Sequence, residues 1–361
     1  MTVTKTKAKT RNINRWIVVL LLVGVGGAAS IFPPVRPVVM LPGEPLTGTL
    51  FTLPVVGDFK LTNTILTTVI VYAILLAIAL GARKGFGDGS QAPTGIAVAL
   101  EMILGYLYDM VENTAGKKWA RSVFPIMATI ILLVLVSNLI KLLPGMETIG
   151  LMKEAHGHGY AKVEVIPGVL SYISNEEIVA HEETAEGTTA EHTLEDATAE
   201  AKPYEVVPFF RSPSTDLNFT AALAVSAVVM VQVMGVRANG FGYFKKFLSV
   251  ERFVKMWGKK KLGPFDVINP FIDIFVGILE SISEFAKIIS FSFRLLGAMF
   301  GGAILAIVIG SLLPVAHFGI LFLELFFGFV QALVFGMLTL VFMTVASQSH
   351  GSHEEGHGEA H

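Results

Sequence analysis

The sequence predicts an all-α polytopic membrane protein with about six membrane-spanning helices. Hydrophobic residues make up 53% of the 361-residue chain and charged residues only 16%, which disfavours a water-soluble globule. Uncharged apolar stretches long enough to cross a bilayer core of about 30 Å recur along the chain. The 27 lysines and arginines cluster between these stretches, as expected for loops on alternate sides of a membrane. The absence of cysteine excludes disulfides and thiolate metal sites.

The first sixty residues predict an N-terminal anchor and an external connector. Residues 1–15 carry five basic side chains, and the apolar run 16–32 that follows ends at Pro33. A cleaved signal peptide and a retained signal anchor both fit this pattern, and we favour the anchor. Residues 35–60 are rich in proline and glycine, which predicts an exposed connector without a core of its own.

Two spans with an amphipathic helix between them are predicted next. Residues 61–80 contain no charged side chain, and Arg83 and Lys84 follow them. Between residues 94 and 120, apolar side chains repeat at helical spacing and charged ones interrupt them, which indicates a helix on the membrane surface. Packing against a soluble domain is the alternative, but the composition leaves no such domain. Residues 122–143 form the next span, with Asn138 and Lys141 near its end, where polar groups are usually interfacial.

An acidic insertion then interrupts the membrane pattern at residues 146–212. Thirteen Asp and Glu residues lie between Glu147 and Glu205, against three lysines. This composition predicts a segment that is mobile in part, with residues 163–173 as the best candidate for local order. Its histidines and carboxylates could bind cations, but they show no regular ligand spacing, so no metal site is predicted.

The C-terminal part predicts the remaining spans. Residues 217–236 form one span, and a strongly basic loop follows at 237–261. Residues 265–313 are too long for one upright span, so this helix must tilt, bend or extend past the membrane. After a predicted turn at 314–318, residues 319–346 form the last span, which completes a long tilted two-helix hairpin.

Charge distribution gives the topology. Residues 1–15, 82–121 and 237–263 hold 18 of the 27 lysines and arginines, which predicts that these segments are cytoplasmic. The acidic insertion then faces outward, and both termini are cytoplasmic if the N-terminal helix is retained. A His-rich tail could chelate a metal, although a solvated terminus is the simpler interpretation. The predicted segments are 1–60, 61–145, 146–212, 213–348 and the tail 349–361.

One charge is unusual within these spans. Arg294 lies in the middle of a long apolar helix, where an arginine costs roughly 2.5–3.5 kcal/mol on insertion scales, so it marks an ion pathway or a buried partner. Glu280, Glu284 and Lys287 precede it at spacings that place all four on one stripe of the helix. A salt bridge between Glu284 and Lys287 at i,i+3 is a purely structural alternative. That alternative leaves Arg294 unexplained.

Further polar and small residues accompany Arg294. Glu324 and Gln331 are seven residues apart on the next helix and hence on one face. Because the two helices are antiparallel, Glu324 falls in the outer half of the membrane, while Glu280 and Glu284 fall on the inner side. Small residues after Arg294 leave a smooth face that another helix could approach closely. They are Gly297, Ala298, Gly301 and Gly302.

This pattern resembles the signature of subunit a of the rotary F-type ATP synthases. The resemblance is carried by residues 279–287 and 293–299. Supporting segments occur in the family's order at 137–145, 213–220 and 324–335. Together these segments are specific, and the resemblance covers roughly residues 61–348.

The resemblance implies roles for individual residues. Arg294 matches the essential arginine that faces the rotating ring of c subunits and meets each ring carboxylate as it passes. Gln331 matches the glutamine beside that arginine, and Glu324 matches a position in an outer half-channel. Residues that would line or support the outer path are Asn138, Asp216 and Asn218. Residues that match the inner side are Glu280, Glu284 and Lys287.

The implied function is that of a proton-translocating stator subunit. Two half-channels at the c-ring interface would force protons to travel by ring rotation, which couples proton flow to ATP synthesis. Such a subunit is not an enzyme by itself and requires no cofactor. The implied partners are the c-subunit ring, b-type peripheral stalk subunits, the whole F1Fo complex and membrane lipid, without nucleic acid. The implied location is the plasma membrane of a bacterium.

Some positions depart from the family pattern. Ala298 replaces an asparagine found in many relatives, and Ala303 replaces a glutamate found in some, with Glu324 supplying the carboxylate instead. Lys141 stands where some relatives have a carboxylate. A secondary transporter with Arg294 as its substrate site is an alternative, but it predicts inverted repeats with broken helices, and the sequence shows no such symmetry. A membrane scaffold is a third possibility, and it would tolerate Arg294→Ala.

Overall fold

The computed structural model describes residues 43–54, 57–86, 94–143, 149–155, 158–166, 170–179, 203–247, 264–312 and 314–348. Within these residues, five helices are long and apolar enough to cross a membrane. The prediction of an all-α polytopic membrane protein is therefore confirmed, although two small sheets lie between the helices. The helices are α1 (Asn63–Phe86), α2 (Ile96–Leu139), α3 (Leu217–Asn239), α4 (Pro264–Leu312) and α5 (Pro314–Ser347).

Three predicted segments lie outside the described residues. They are the N-terminal span at 16–32, most of the basic loop at 248–263 and the His-rich tail at 349–361. The total of six spans therefore stays a prediction, as do the positions of the two termini.

Helix α2 contains the amphipathic element and the span that the sequence predicts separately. Gly116, with φ 76° and ψ 160°, interrupts its backbone, and glycine adopts this left-handed φ without the steric cost of a Cβ. On the N-terminal side, Leu107 and Val111 are buried, while Met102 is exposed. On the C-terminal side, the span continues into a 3-10 turn at Ile140–Leu142. The break at Gly116 lets the two parts of α2 take different directions.

Helices α4 and α5 form the C-terminal pair. With 49 residues, α4 is roughly 73 Å long at 1.5 Å per residue, far more than a bilayer core of about 30 Å. Only residue 313 separates the two helices. The predicted turn at 314–318 is therefore wrong, because α5 begins at Pro314. Proline fits the first turn of a helix, where its missing N–H would have no partner in the helix.

Two apolar clusters hold the helices together. The first combines side chains from all five helices, among them Val71, Val134, Ala224, Leu295 and Phe335. The second joins the amphipathic part of α2 to the rest of α2 and to α3 and α5, through residues that include Leu107, Val111, Met127, Met234 and Met343. The amphipathic part thus buries one apolar stripe against the bundle.

Helix α5 approaches α2 along a stripe of small residues. Gly328, Ala332 and Gly336 follow one another at i, i+4 and i+8 and so share a face. A Cβ on Gly328 would lie 3.0 Å from the Cβ of Asn138, and one on Gly336 would collide with the Ile131 side chain. Small residues let two helix backbones come close. Helix α5 therefore packs closely on α2 along this stripe, because its glycines face the Asn138 and Ile131 side chains.

The connector contains an ordered hairpin. Strands β1 (Pro45–Leu53) and β2 (Gly57–Thr62) pair antiparallel, and Phe51 stacks on Phe59 with ring centroids 4.7 Å apart. Most of the hairpin is exposed. The predicted exposed connector thus contains a hairpin, because cross-strand pairing with a stacked aromatic pair orders the chain without a buried core.

The acidic insertion contains a four-stranded sheet. Strands β3 (Gly150–Glu154), β4 (His158–Ile166), β5 (Leu170–Val179) and β6 (Tyr204–Pro208) lie in the order β3-β6-β4-β5. Order therefore extends well beyond the predicted 163–173. The expectation missed it because β6 pairs with strands far away in the sequence. Residues 180–202, which join β5 to β6, lie outside the described residues.

The chain divides into two compact units. One contains the strands within Leu151–Val207 and the helical residues Ala303–Leu323. The other contains Met40–Gly150, Pro208–Gly302 and Glu324–His361. Both apolar clusters and the site described below belong to the second unit.

Candidate functional site

Arg294 lies on an open stripe of α4. Ser290, Gly297 and Gly301 share its face at i−4, i+3 and i+7, and all four residues are exposed. The guanidinium donates a hydrogen bond to Ser290 Oγ at 3.4 Å. Among the described residues, and apart from the nearby backbone of α4 itself, no atom lies within 4 Å of a Cβ placed on Gly297 or Gly301. The described part of the chain thus leaves this cation on an uncovered surface of small side chains.

The other two small residues point elsewhere. Ala298 is half-buried and packs against the first apolar cluster. A Cβ on Gly302 would lie 3.5 Å from Glu324 Oε1. The predicted smooth face of four residues is therefore divided, since successive helix residues differ in direction by about 100°. Gly301 lies on the open stripe, and Gly302 faces the carboxylate of the neighbouring helix.

Glu324 forms a buried ion pair with Lys141. The Glu324 Oε1 and Lys141 Nζ atoms are 3.0 Å apart, and the two side chains are only 8% and 3% exposed. Lys141 comes from the 3-10 turn after α2, and Glu324 from α5. The sequence had indicated an interfacial role for Lys141, but its side chain turns into the bundle. The sequence contained a signal for this pair. Lys141 and Glu324 are each the only Asp, Glu, Lys or Arg in their predicted spans, and their charges are opposite.

Asn138 ties α2 to the α5 face that carries the polar residues. Its Nδ2 donates to the Gly328 carbonyl at 3.0 Å, and the residue is buried. Gly328 lies one turn after Glu324 and about one turn before Gln331, so all three share a face of α5. The structure therefore brings Asn138, Lys141 and Glu324 together at the α2–α5 contact.

Several buried polar atoms near this contact have no hydrogen-bond partner in the described part of the chain. They are Ser137 Oγ, Asn138 Oδ1, Ser214 Oγ and Gln331 Nε2. Ser212 donates to the Ser137 carbonyl at 2.9 Å, which places the turn that contains Ser214 beside the end of α2. Buried polar groups nearly always bond to protein or to ordered water. These atoms are therefore candidates for contact with water.

Asp216 has a structural position at the start of α3. Its Oδ1 accepts a hydrogen bond from the Asn218 backbone N–H at 2.9 Å and so caps the helix. Its Oδ2 accepts from the hydroxyl of Thr64 on α1. Asp216 is buried, whereas Asn218 is exposed. Both carboxylate oxygens are thus occupied, and Asp216 joins α3 to α1.

The polar residues predicted for the inner side form a local ion pair. Lys287 Nζ lies 2.9 Å from Glu284 Oε1, which is the i,i+3 salt bridge that the sequence offers as the structural alternative. The ammonium also lies 4.9 Å from the centroid of the Phe342 ring on α5. Glu284 is buried and Glu280, one turn earlier, is half-buried. Glu284 precedes Arg294 by ten residues, roughly 15 Å along the helix.

Two buried contacts involve residues that the sequence pattern did not single out. The hydroxyls of Thr220 on α3 and Ser292 on α4 lie 3.2 Å apart. Ser292 precedes Arg294 by two residues. Arg211 is buried and donates from Nε to Thr215 Oγ1 at 3.2 Å. The first contact fixes α4 against α3, and the second stiffens the turn that leads into α3. The first has no local sequence signal, because it depends on which helices meet, whereas the second joins residues only four positions apart.

Comparison with known proteins decides the family. The family model described as "ATP synthase A chain" matches residues 64–344, well over half of the chain. The chain belongs to the ATP synthase A chain family. The resemblance seen in the sequence is thereby confirmed, and the secondary-transporter alternative is not favoured. The match spans α1 to α5 and includes every residue of the candidate site.

Individual members of the family are similar along most of their length. The ATP synthase subunit a of Aliarcobacter butzleri is 26% identical over 292 residues, which are 80% of this chain and 89% of that protein. The ATP synthase subunit a of Geotalea uraniireducens is 25% identical over 291 residues, which are 80% of this chain and 87% of that protein. ATP synthase subunit a 1 of Hahella chejuensis is 34% identical over a shorter stretch of 147 residues, which are 40% of this chain and 52% of that protein.

Proposed function

We infer that this chain is the proton-translocating stator subunit of a rotary F-type ATP synthase and acts within the F1Fo complex in a membrane. The observation that carries the proposal is Arg294, an intramembrane cation on an open stripe of small residues. Membership of the ATP synthase A chain family supports it. By itself the chain is a membrane ion-translocation component and not an enzyme.

The open stripe is the surface for the c-subunit ring. Gly297 and Gly301 allow a ring helix to approach closely, so that Arg294 can meet the carboxylate of each passing c subunit. The guanidinium favours the ionised carboxylate by its opposite charge and stays protonated itself. Exclusion of water from this contact strengthens the attraction. A ring carboxylate therefore loses its proton beside Arg294 and regains one elsewhere.

The outer half-channel runs along the α2–α5 contact. Glu324 is its carboxylate, and Asn138 and Gln331 contribute buried polar atoms that lack protein partners in the described residues. Those atoms suit a hydrated path. Asp216 supports the path by capping α3, and Asn218 lies at its exposed edge.

The inner half-channel lies on the other side of Arg294, along Glu280, Glu284 and Lys287. The fixed charge of Arg294 repels a hopping proton and so prevents a direct leak between the two paths. Protons must therefore travel with the ring. Each charge moved through 100 mV supplies about 2.3 kcal/mol, which the motor converts.

Further partners follow from the same assignment. The b-type peripheral stalk would hold the subunit against rotation, and lipid would cover exposed apolar side chains such as Val69, Tyr72 and Leu76 of α1. We place the chain in the plasma membrane of a bacterium, with both termini in the cytoplasm if the N-terminal helix is retained.

ATP-driven proton pumping tests the proposal. Complexes that carry Arg294→Ala are reconstituted into vesicles, and subunit composition is checked on the purified complex. We expect assembly to be intact and pumping to fall to the level of vesicles without a working complex. Arg237→Ala, which removes an exposed arginine at the end of α3, is the matched control and should pump normally. Normal pumping by assembled Arg294→Ala would contradict the proposal.

A further inference from the structure

We propose that Lys141 is a positioning residue of the proton path, which holds Glu324 as a carboxylate inside the α2–α5 contact. The inference rests on the function proposed above, because it concerns how the outer carboxylate works. Lys141 itself does not exchange protons in this scheme. It remains an ammonium throughout and acts only through Glu324.

The burial of the pair is the first argument. The side chains of Lys141 and Glu324 are 3% and 8% exposed, with 3.0 Å between Nζ and Oε1. Removing a carboxylate from water costs several kcal/mol, and an isolated buried carboxyl group avoids that cost by binding a proton. A cation within about 4–6 Å favours the ionised form. Without Lys141, Glu324 would therefore tend to be neutral and could not accept a proton from the outer side.

The packing that brings the pair together is the second argument. Asn138, one turn before Lys141, bonds to the Gly328 carbonyl, one turn after Glu324. Gly302 of α4 faces the carboxylate, since a Cβ there would be in ordinary contact, 3.5 Å from Glu324 Oε1. The helix contact thus holds the cation beside the carboxylate.

The form of the contact is the third argument. Glu324 Oε1 faces the Lys141 ammonium, 3.0 Å from Nζ, so the attraction depends on the negative charge of Glu324. Protonation of Glu324 cancels this attraction. The proton can then pass from the Glu324 carboxyl group to a ring carboxylate, after which the regained negative charge restores the pair. One proton enters and one leaves, and Lys141 ends the cycle unchanged.

Substitutions at position 141 separate charge from packing. Lys141→Met keeps the length and removes the charge, while Lys141→Arg keeps the charge. In purified, assembled complexes in vesicles, we expect Lys141→Met to lower the initial rate of ATP-driven proton pumping by about tenfold, at the low end of what positioned proton-transfer groups contribute. Lys141→Arg should retain most of the rate. Lys60→Met, at an exposed lysine of β2, is the matched control and should pump normally.

A charge exchange and a double substitution make the test independent of folding. The exchange of Lys141→Glu with Glu324→Lys restores one carboxylate and one cation, so it should pump better than Lys141→Glu alone. If Lys141→Met fails to assemble, removal of both charges in Lys141→Met with Glu324→Gln should restore assembly. Its pumping should equal that of Glu324→Gln, because Lys141 acts only through the carboxylate.

Three results would overturn the proposal. They are normal pumping by Lys141→Met, equal losses in Lys141→Met and Lys141→Arg, and a double substitution that pumps much less than Glu324→Gln. The Arg294→Ala experiment separates this failure from that of the proposed function. If Arg294→Ala abolishes pumping while Lys141→Met does not, only the role of Lys141 is wrong.

Discussion

Asn138 and Gly328 are joined by a hydrogen bond, from Nδ2 to the carbonyl oxygen at 3.0 Å, across 190 residues of sequence. The bond lies on α5 between Glu324 and Gln331. It attaches the polar face of α5 to the end of α2 that also carries Lys141. The outer polar residues are thus positioned by the packing of two helices, which holds side chains more exactly than loops do.

Loss of this bond should weaken both stability and transport. Asn138→Ala removes a buried hydrogen bond, which typically contributes about 0.5–1.5 kcal/mol. We expect the purified complex to release this subunit at a lower temperature and the proton-pumping rate to fall. The exposed Asn113→Ala on the amphipathic part of α2 is the control. Equal thermal release of the two variants would count against the structural importance of the Asn138 bond.

Gly336, in the small-residue stripe of α5, should not accept even one methyl group. A Cβ at Gly336 would collide with Ile131, and overpacking of a tight contact costs about 1–3 kcal/mol. Gly336→Ala should therefore lower the temperature at which the subunit dissociates from the complex. At Gly81 of α1 nothing lies within 4 Å of the added Cβ, so Gly81→Ala should be neutral or stabilising, since alanine favours helix. A Gly336→Ala complex as stable as Gly81→Ala would refute the close contact.

Asp216 should tolerate loss of its charge but not loss of its side chain. Asparagine caps helices about as well as aspartate, whereas alanine costs about 0.5–2 kcal/mol. Asp216→Asn should therefore keep most proton pumping, and Asp216→Ala should reduce thermal stability. If Asp216→Asn assembles normally yet loses pumping, the carboxylate itself carries protons and the capping role is insufficient.

Glu284 and Lys287 should behave as one unit. Lys287→Met leaves a buried carboxylate without its 2.9 Å partner, whereas Glu284→Gln with Lys287→Met removes both charges. In a double-mutant cycle on thermal stability, we expect the double variant to lose less than the sum of the single losses, with a coupling of about 0.5–3 kcal/mol. Additive losses would show that the pair contributes nothing beyond its separate residues. Pumping measured on the same variants reports whether the inner path needs the charges.

Local features of the site could be predicted from sequence, whereas distant pairings could not. The Glu284–Lys287 salt bridge follows from an i,i+3 spacing on one helix, and the family to which the chain belongs follows from short segments around Arg294. Lys141 and Glu324 lie in different helices, and helical periodicity assigns each to a face without saying which helix that face meets. Asp216 shows the same limit, since its partner Thr64 is 152 residues away.

The sequence by itself determined the membrane class, the apolar helices, the amphipathic segment and Arg294 as the central charge, because length, hydropathy and helical period are local properties. The tertiary structure decided three other features. It paired Lys141 with Glu324, divided the glycines between an open stripe and a helix contact, and arranged the described strands of the acidic insertion into a sheet. Each of these depends on steric fit and pairing between segments far apart in the chain, where the removal of polar groups from water makes the correct partner essential.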